Sequence, residues 1–306
     1  MQFVTNSSHG QLELVADSLW APLFQNSDAD EATRNVSAAC LGKLTTASPS
    51  KYLPQLQSRL RDPAPPIRAT VIAAIRYTFA DTAQSYDELL SPFIVDFLLL
   101  VEDKDLKVRQ EALSALNTAA KSKPQLIREH LTTLVPALYT ETKIKEDLIR
   151  TVQMGPWQHK VDDGLEARKT AYETIYTLLE TNLARLDLAE LLSRVIAGLK
   201  DTANDIQTLC HMMVFRLAQL APAAVAARIG DFTEDLTKAM AGPAVTKDTV
   251  KQDLERAQEQ QKSALRAIAA LSKVNTPGTY PKFDELIASV SKGQWANDFH
   301  DLVDKF

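Results

Sequence analysis

The chain has 306 residues, 45% of them hydrophobic and 24% charged, the composition of a soluble, structured protein with ample material for a core. A formal net charge of −5 provides no basic field with which to hold nucleic acid by its phosphates, and suits a partner with basic patches. MQFVTNSSHG lacks the charged and apolar regions of a secretory leader, and the longest tight apolar run, Phe97 to Val101, is far too short to span a bilayer.

Leu12, Val15, Ala16, Leu19 and Leu23 recur at the spacing that lines one face of a helix. After a polar break at Gln25 to Asp30 a second helix begins, centred on Thr33-Arg34-Asn35-Val36-Ser37. The same register returns as Ile67-Arg68-Ala69-Thr70-Val71, as Val108-Arg109-Gln110-Glu111-Ala112 and as Ala167-Arg168-Lys169-Thr170-Ala171. Asp62, Asp103 or Asp105, and Asp162 or Asp163 lie just upstream. Recurrence at one position of a repeat argues that Arg34, Arg68, Arg109 and Arg168 make structural bonds to neighbouring aspartates rather than hold an anion. Between these units, Ser48-Pro49, Ser91-Pro92 and Lys123-Pro124 place proline at a first helical position, where its missing donor costs nothing.

Asp187 with Glu190 forms a capping box, and Leu188, Leu191, Leu192, Val195, Ile196 and Leu199 behind it make the cleanest apolar face in the chain. Cys40 and Cys210 sit singly in helical apolar patterns and read as core, and His211 reads as a packed histidine. The polar run Thr246 to Gln261 is either an insertion or the loose start of a longer helix, since Val250, Leu254, Ala257 and Gln261 keep helical spacing. Phe283, Leu286, Ile287 and Val290 predict one closing helix, and Trp295, Phe299, Leu302 and Val303 a short last one; together they would cap the array. No such device precedes the first repeat, as in a piece of a longer array.

The recurrent arginines set the period. Steps from Arg34 through Arg68, Arg109 and Arg168 to the matching Gln207 are 34, 41, 59 and 39 residues. Helix pairs repeating at about 40 residues are the signature of a HEAT or armadillo solenoid, in which each pair buries its apolar face only against its neighbours. The predicted fold is therefore all-α, a HEAT-repeat superhelix.

The long step contains the stretch from Ile144 to Gly164, which is neither helix nor ordinary turn. Pro156 breaks any helix there, while the β-branched and aromatic residues of Leu148 to Met154 and Trp157 to Val161 flank Gly155-Pro156 as two arms flank a turn. This predicts a β-hairpin at about 148–161, inserted between two helices. The alternative is an irregular surface loop with one buried Trp. A lone ribbon is marginal in water and must lean on neighbouring helices or on a partner, and Arg150, His159 and Lys160 would keep its open edges from pairing at random.

No G-x-S-x-G, G-x-x-x-x-G-K-[ST] or H-E-x-x-H occurs, and five His and two Cys show no metal-ligand spacing, so neither catalytic residues nor a metal or cofactor is expected.

EATRNVSAACLGKLT (Glu31 to Thr45), KPQLIREHLTTLVPALYTET (Lys123 to Thr142) and above all DLIRTVQMGPWQHKVDDGLEARKTAYE (Asp147 to Glu173) resemble the C-terminal quarter of the cullin-associated, neddylation-dissociated proteins, all-HEAT regulators of cullin-RING ubiquitin ligases. The resemblance implies that residues 1–306 are one C-terminal array of about six HEAT repeats with a helical cap at about 282–306. It implies a non-enzymatic chain, cytoplasmic and nuclear, that binds the N-terminal region of an unmodified cullin in complex with its RING subunit. A hairpin would then intrude on the surface of the Skp-type adaptor and allow substrate receptors to exchange. Covering the cullin's modification lysine belongs to N-terminal repeats, here a separate portion or separate chain. On this reading the partner-binding residues are Ile149, Arg150, Val152, Met154, Gly155, Pro156, Trp157, His159 and Lys160, with Met154 and Trp157 as anchors near the tip. The competing expectation is a generic HEAT scaffold or nuclear transport adaptor that binds on its concave face, the hairpin being incidental.

Overall fold

The computed structural model describes residues 9–80, 84–243 and 250–305, with side chains from residue 15 onward except those of 84, 85 and 154. The expectations for the Leu12 side chain, for the Met154 side chain and for Thr246 to the residue before Val250 lie outside the described residues. Two compact units divide between Leu186 and Asp187.

The first unit contains α1 (His9–Phe24), α2 (Glu31–Ala47), α3 (Pro49–Ser58), α4 (Pro65–Thr78), α5 (Gln84–Leu90), α6 (Ile94–Leu98), α7 (Leu106–Ser122), α8 (Pro124–Ile127), α9 (Leu131–Glu141), a hairpin of β1 (Ile149–Met154) and β2 (Trp157–Asp162), and α10 (Leu165–Asn182). Helices α2, α4, α7 and α10 pack each against the next to form one continuous layer. Small residues permit this. α4 buries Ala69, Ala73 and Ala74 around Val71, Ile72 and Ile75, and α7 buries Ala112, Ala115, Ala119 and Ala120. On α2, a Cβ at Gly42 would stand 2.7 Å from the Ala74 carbonyl oxygen, so only glycine allows the two helices to approach this closely.

The second unit contains α11 (Leu188–Leu199), α12 (Asn204–Leu220), α13 (Pro222–Ala226), α14 (Ile229–Ala241), α15 (Lys251–Val274), α16 (Pro281–Val290) and α17 (Ala296–Asp304). Here α12 packs on α15, α11 on α12, and α14 and α17 on α15. The polar stretch beyond Val250 is the first part of the long helix α15, so of the two readings the helical one holds from Lys251 on. Phe283, Leu286, Val290 and Phe299 are buried in the two closing helices, as their spacing predicts, with Trp295 just before α17. Cys40, Cys210 and His211 are all buried.

One joint recurs between helix pairs. The Asp62 carboxylate accepts from the Ala64 amide (2.9 Å), and the Asp62 carbonyl accepts from the guanidinium of Arg68, six residues on (2.7 Å). Asp103 repeats this with the Asp105 amide and with Arg109, and Asp201 with the Ala203 amide and Gln207, which takes the place of arginine. Neighbouring joints are linked: Arg68 also makes two 2.8 Å bonds to the Asp103 carboxylate, and Arg109 lies 3.4 Å from Glu141. Burial pushes the Asp103 carboxyl up, but the Arg68 bonds and the Asp105 amide outweigh it and the net shift is down. Arg68 and Arg109 are thus structural, as their periodicity argued. Arg34, at the first such position, makes no side-chain bond among the described residues.

Two local expectations are corrected. Pro49 and Pro124 open α3 and α8, but Pro92 lies in the turn between α5 and α6: the Ser91 amide donates to the Asp87 carbonyl and the Phe93 amide to Leu90 (both 2.9 Å), so the chain bends before α6 starts at Ile94. The Asp187 carboxylate caps the Ala189 and Glu190 amides of α11, whereas Glu190 pairs with Arg194 at 3.1 Å, so only half of a capping box is built.

Candidate protein-docking hairpin

The insertion leaves the helical layer and returns to it at one point. Leu148 ends a 3-10 turn, and its carbonyl accepts from the Asp163 amide at 3.0 Å, which closes the base of the loop. Asp162 and Arg168 form the local version of the repeat joint: one carboxylate oxygen accepts from the Gly164 amide (2.9 Å), the other from Arg168 Nη1 (2.7 Å). Arg168 is only 1% exposed. Across the base, Arg150 Nε donates to the Asp163 carboxylate at 2.7 Å. A Cβ at Gly164 would come within 3.0 Å of the Leu148 side chain, so the entry to α10 is tightly packed.

Outward from this base, β1 and β2 pair antiparallel from Ile149↔Asp162 to Met154↔Trp157. Each outer end is shifted one residue from the expectation: Leu148 belongs to the 3-10 turn and Asp162 to the strand. The two-residue turn is Gly155-Pro156, and Gly155 has φ 61°, the conformation that the first central position of a type II′ turn requires and that glycine adopts without strain. Gln153 donates to the Gly155 carbonyl at 2.7 Å. Trp157, expected as either a hairpin anchor or the buried residue of a loop, is 71% exposed, which excludes the second.

All the predicted hairpin residues are therefore on one ribbon. Gly155, Pro156, Trp157, His159 and Lys160 are exposed, with Arg150; Ile149 and Val152 are half-buried; and Met154 pairs with Trp157 beside the turn. Thr151, Gln153, Gln158 and Val161 belong to the same projection and were not singled out from the sequence, although the alternation that places Val152 on a face places them too.

Other features carry less. A cleft of about 960 Å³ in the second unit is lined by Lys200, Lys238 and Arg256 and equally by Glu234, Asp235 and Asp253, so its charges select neither anion nor cation. Among the described residues no group of three His, Cys, Asp or Glu side chains is placed to hold a metal ion, and no helix is long and apolar enough to cross a membrane.

A family model described as "TATA-binding protein interacting (TIP20)", TIP120, matches residues 126–291, hairpin included, and one described as "GCN1-like, C-terminal HEAT repeats" matches residues 32–152. Cullin-associated NEDD8-dissociated protein 1 of Dictyostelium discoideum is 42% identical over 87% of this chain and 21% of its own length. The Drosophila melanogaster protein of the same name is 40% identical over 99% of this chain and 24% of its own. An Emericella nidulans protein named as the C-terminal part of cullin-associated NEDD8-dissociated protein 1 is 37% identical over 94% of this chain and 28% of its own. The chain thus spans less than a third of each relative. Yeast importin-β (Kap95p) matches 97% of this chain and 35% of its own, with a TM-score of 0.65 at 17% identity, a likeness of fold alone. With a model match running through the hairpin and over more than half of its length, the chain belongs to the TIP120 family, that of the cullin-associated NEDD8-dissociated proteins.

Proposed function

We propose that this chain is a non-enzymatic regulator of cullin-RING ubiquitin ligases, acting in cytoplasm and nucleus. Its helical layers bind the N-terminal region of an unneddylated cullin in complex with its RING subunit. The hairpin competes there with a Skp-type adaptor, and so promotes receptor exchange or sequesters the cullin. Two facts support the reading: the relatives are named for cullin association, and the observation that carries it is a projecting ribbon whose aromatic residue is 71% exposed beside the turn. An exposed Trp beside a tight turn is the type of side chain that concentrates binding energy when it fills a partner's pocket.

The test is displacement of an adaptor from a cullin N-terminal domain by the chain and by a variant in which Ile149 to Lys160 are replaced with a short Gly/Ser linker. Loss of the hairpin is expected to weaken displacement by about 2 kcal/mol or more, roughly thirtyfold, with little change in melting temperature. Unchanged displacement would remove the hairpin from the mechanism and favour a scaffold that binds through its helices. In a neddylation assay the chain alone is expected barely to slow the reaction, and strong inhibition would overturn the assignment of lysine-covering to other repeats.

A further inference from the structure

The register sorts the hairpin's side chains onto two unlike faces. Directly opposed residues of an antiparallel pair lie on the same side of a ribbon, and successive residues alternate. Arg150↔Val161, Val152↔His159 and Met154↔Trp157 therefore share one face, and Ile149↔Asp162, Thr151↔Lys160 and Gln153↔Gln158 the other. Above the base, the second face offers only two amides, a hydroxyl and an ammonium. The first carries the half-buried Val152 and Val161 and the largely exposed indole of Trp157, with Arg150 at its foot.

Charge adds a direction. Between Ile149 and Val161 the chain has Arg150, His159 and Lys160 and no carboxylate, on a protein of net charge −5. Of the nearest acids, Asp162 and Asp163 are committed to Arg168 and Arg150 at the base, and Glu146 and Asp147 lie below it in the 3-10 turn. His159 lies on the apolar face between Trp157 and Val161, and neither it nor Lys160 has an ion-pair partner among the described residues. A basic ribbon on an acidic protein is repelled by surfaces like the rest of its own chain and drawn to carboxylates on another.

We propose that the hairpin docks through the Val152, Trp157, His159 and Val161 face, into an apolar pocket on an acidic partner protein, with Thr151, Gln153 and Gln158 turned to solvent and the long stem of Lys160, which shares their face, reaching round the ribbon's edge to carboxylates at the pocket's rim. This rests on the reading of the hairpin as the interaction element. In the adaptor-displacement assay, Val152→Ser with Trp157→Ser is expected to weaken displacement at least about tenfold, and Gln153→Ser with Gln158→Ser less than about twofold. His159→Glu should weaken it more at low salt than at high salt, as repulsion of a charged rim demands. Amide exchange over residues 149–162 shows that each variant still forms the ribbon. Equal losses from both faces, or tighter binding by His159→Glu, would overturn the assignment. If the linker variant is impaired while the Val152/Trp157 pair is silent, the face is wrong and the hairpin reading stands; if the linker variant is also silent, both fall. Concentration-dependent dimerisation abolished by Trp157→Ser would instead show that a second copy covers this face, and would overturn the acidic partner.

Discussion

Asp162 and Trp157 are on the same strand, but Asp162 bonds a guanidinium that is 1% exposed, while Trp157 presents 71% of its surface to solvent. The base of the hairpin is built like the joints at Asp62 and Asp103, with an aspartate that caps the next turn and an arginine six residues on, here bonded to the carboxylate instead of the carbonyl. The tip has one glycine in a left-handed conformation, one side-chain bond to its own turn, and nothing packed around Gly155. A packed joint and an exposed tip are thus separated along one ribbon only six residues long, and if the tip is the docking element, substitutions at its two ends should have opposite signatures.

The largest expected effect on stability is at the base. Arg168→Ala removes the partner of the Asp162 carboxylate and leaves space around a buried stem, and is expected to cost about 3 kcal/mol or more in thermal or denaturant unfolding. A loss below about 1 kcal/mol would mean that the joint is dispensable and that base and tip differ less than their geometry implies.

His211 provides a reference in the helical core that is independent of the hairpin. Burial holds its imidazole neutral, with a pKa pushed down from an ordinary 6.5 to about 4. Between those values the unfolded chain binds a proton that the folded chain does not. The contribution is therefore complete above about pH 6.5 and is lost as pH falls toward 4, by about 3 kcal/mol at the end. His211→Phe should flatten this part of the stability profile between pH 7 and pH 4.5 while adaptor displacement at neutral pH stays as it was. A slope identical to that of the parent chain would show that other groups govern the acid response.

The smallest effect is at the tip. Gly155→Ala meets no neighbour but must hold an L-residue at φ 61°, a cost of roughly 1–2 kcal/mol. It should appear as faster amide exchange within 149–162 and a few-fold weaker displacement, with the global melting temperature unmoved. A drop of several degrees would show that the ribbon unfolds together with the helices and is no separate element.

The periodic parts of this architecture were legible because one chemistry repeats. Aspartate followed six residues on by arginine recurs at Asp62, Asp103 and Asp162, with glutamine in the same place after Asp201, and the extra length in one step marks the position of the hairpin. Gly155-Pro156 could likewise be read as a turn, since few sequences other than glycine accept a positive φ there. What could not be read was the choice among alternatives of equal composition: that Asp103 and not Asp105 receives Arg68, while Asp105 caps α7; that Asp162 takes Arg168 and Asp163 takes Arg150; and that Pro92 lies in a turn while Pro49 and Pro124 open helices. Neighbouring carboxylates one or two residues apart have the same chemistry, and only the direction in which each leaves the backbone distinguishes them. The exposure of Trp157 was open for the same reason, because an aromatic residue next to a turn serves a core or a surface equally well.

The closure of the hairpin at Leu148 and Asp163 has an evolutionary corollary. Since the two ends of the excursion are joined by a 3.0 Å amide-to-carbonyl bond, and its last strand residue Asp162 is held by Arg168, the neighbouring helices experience the same connection whatever is threaded between Leu148 and Asp162. Length at that point is nearly neutral for the scaffold, since loop closure grows only slowly more costly as residues are added. An ancestral short linker could therefore lengthen, explore sequences and acquire a recognition element while the surrounding array stayed folded.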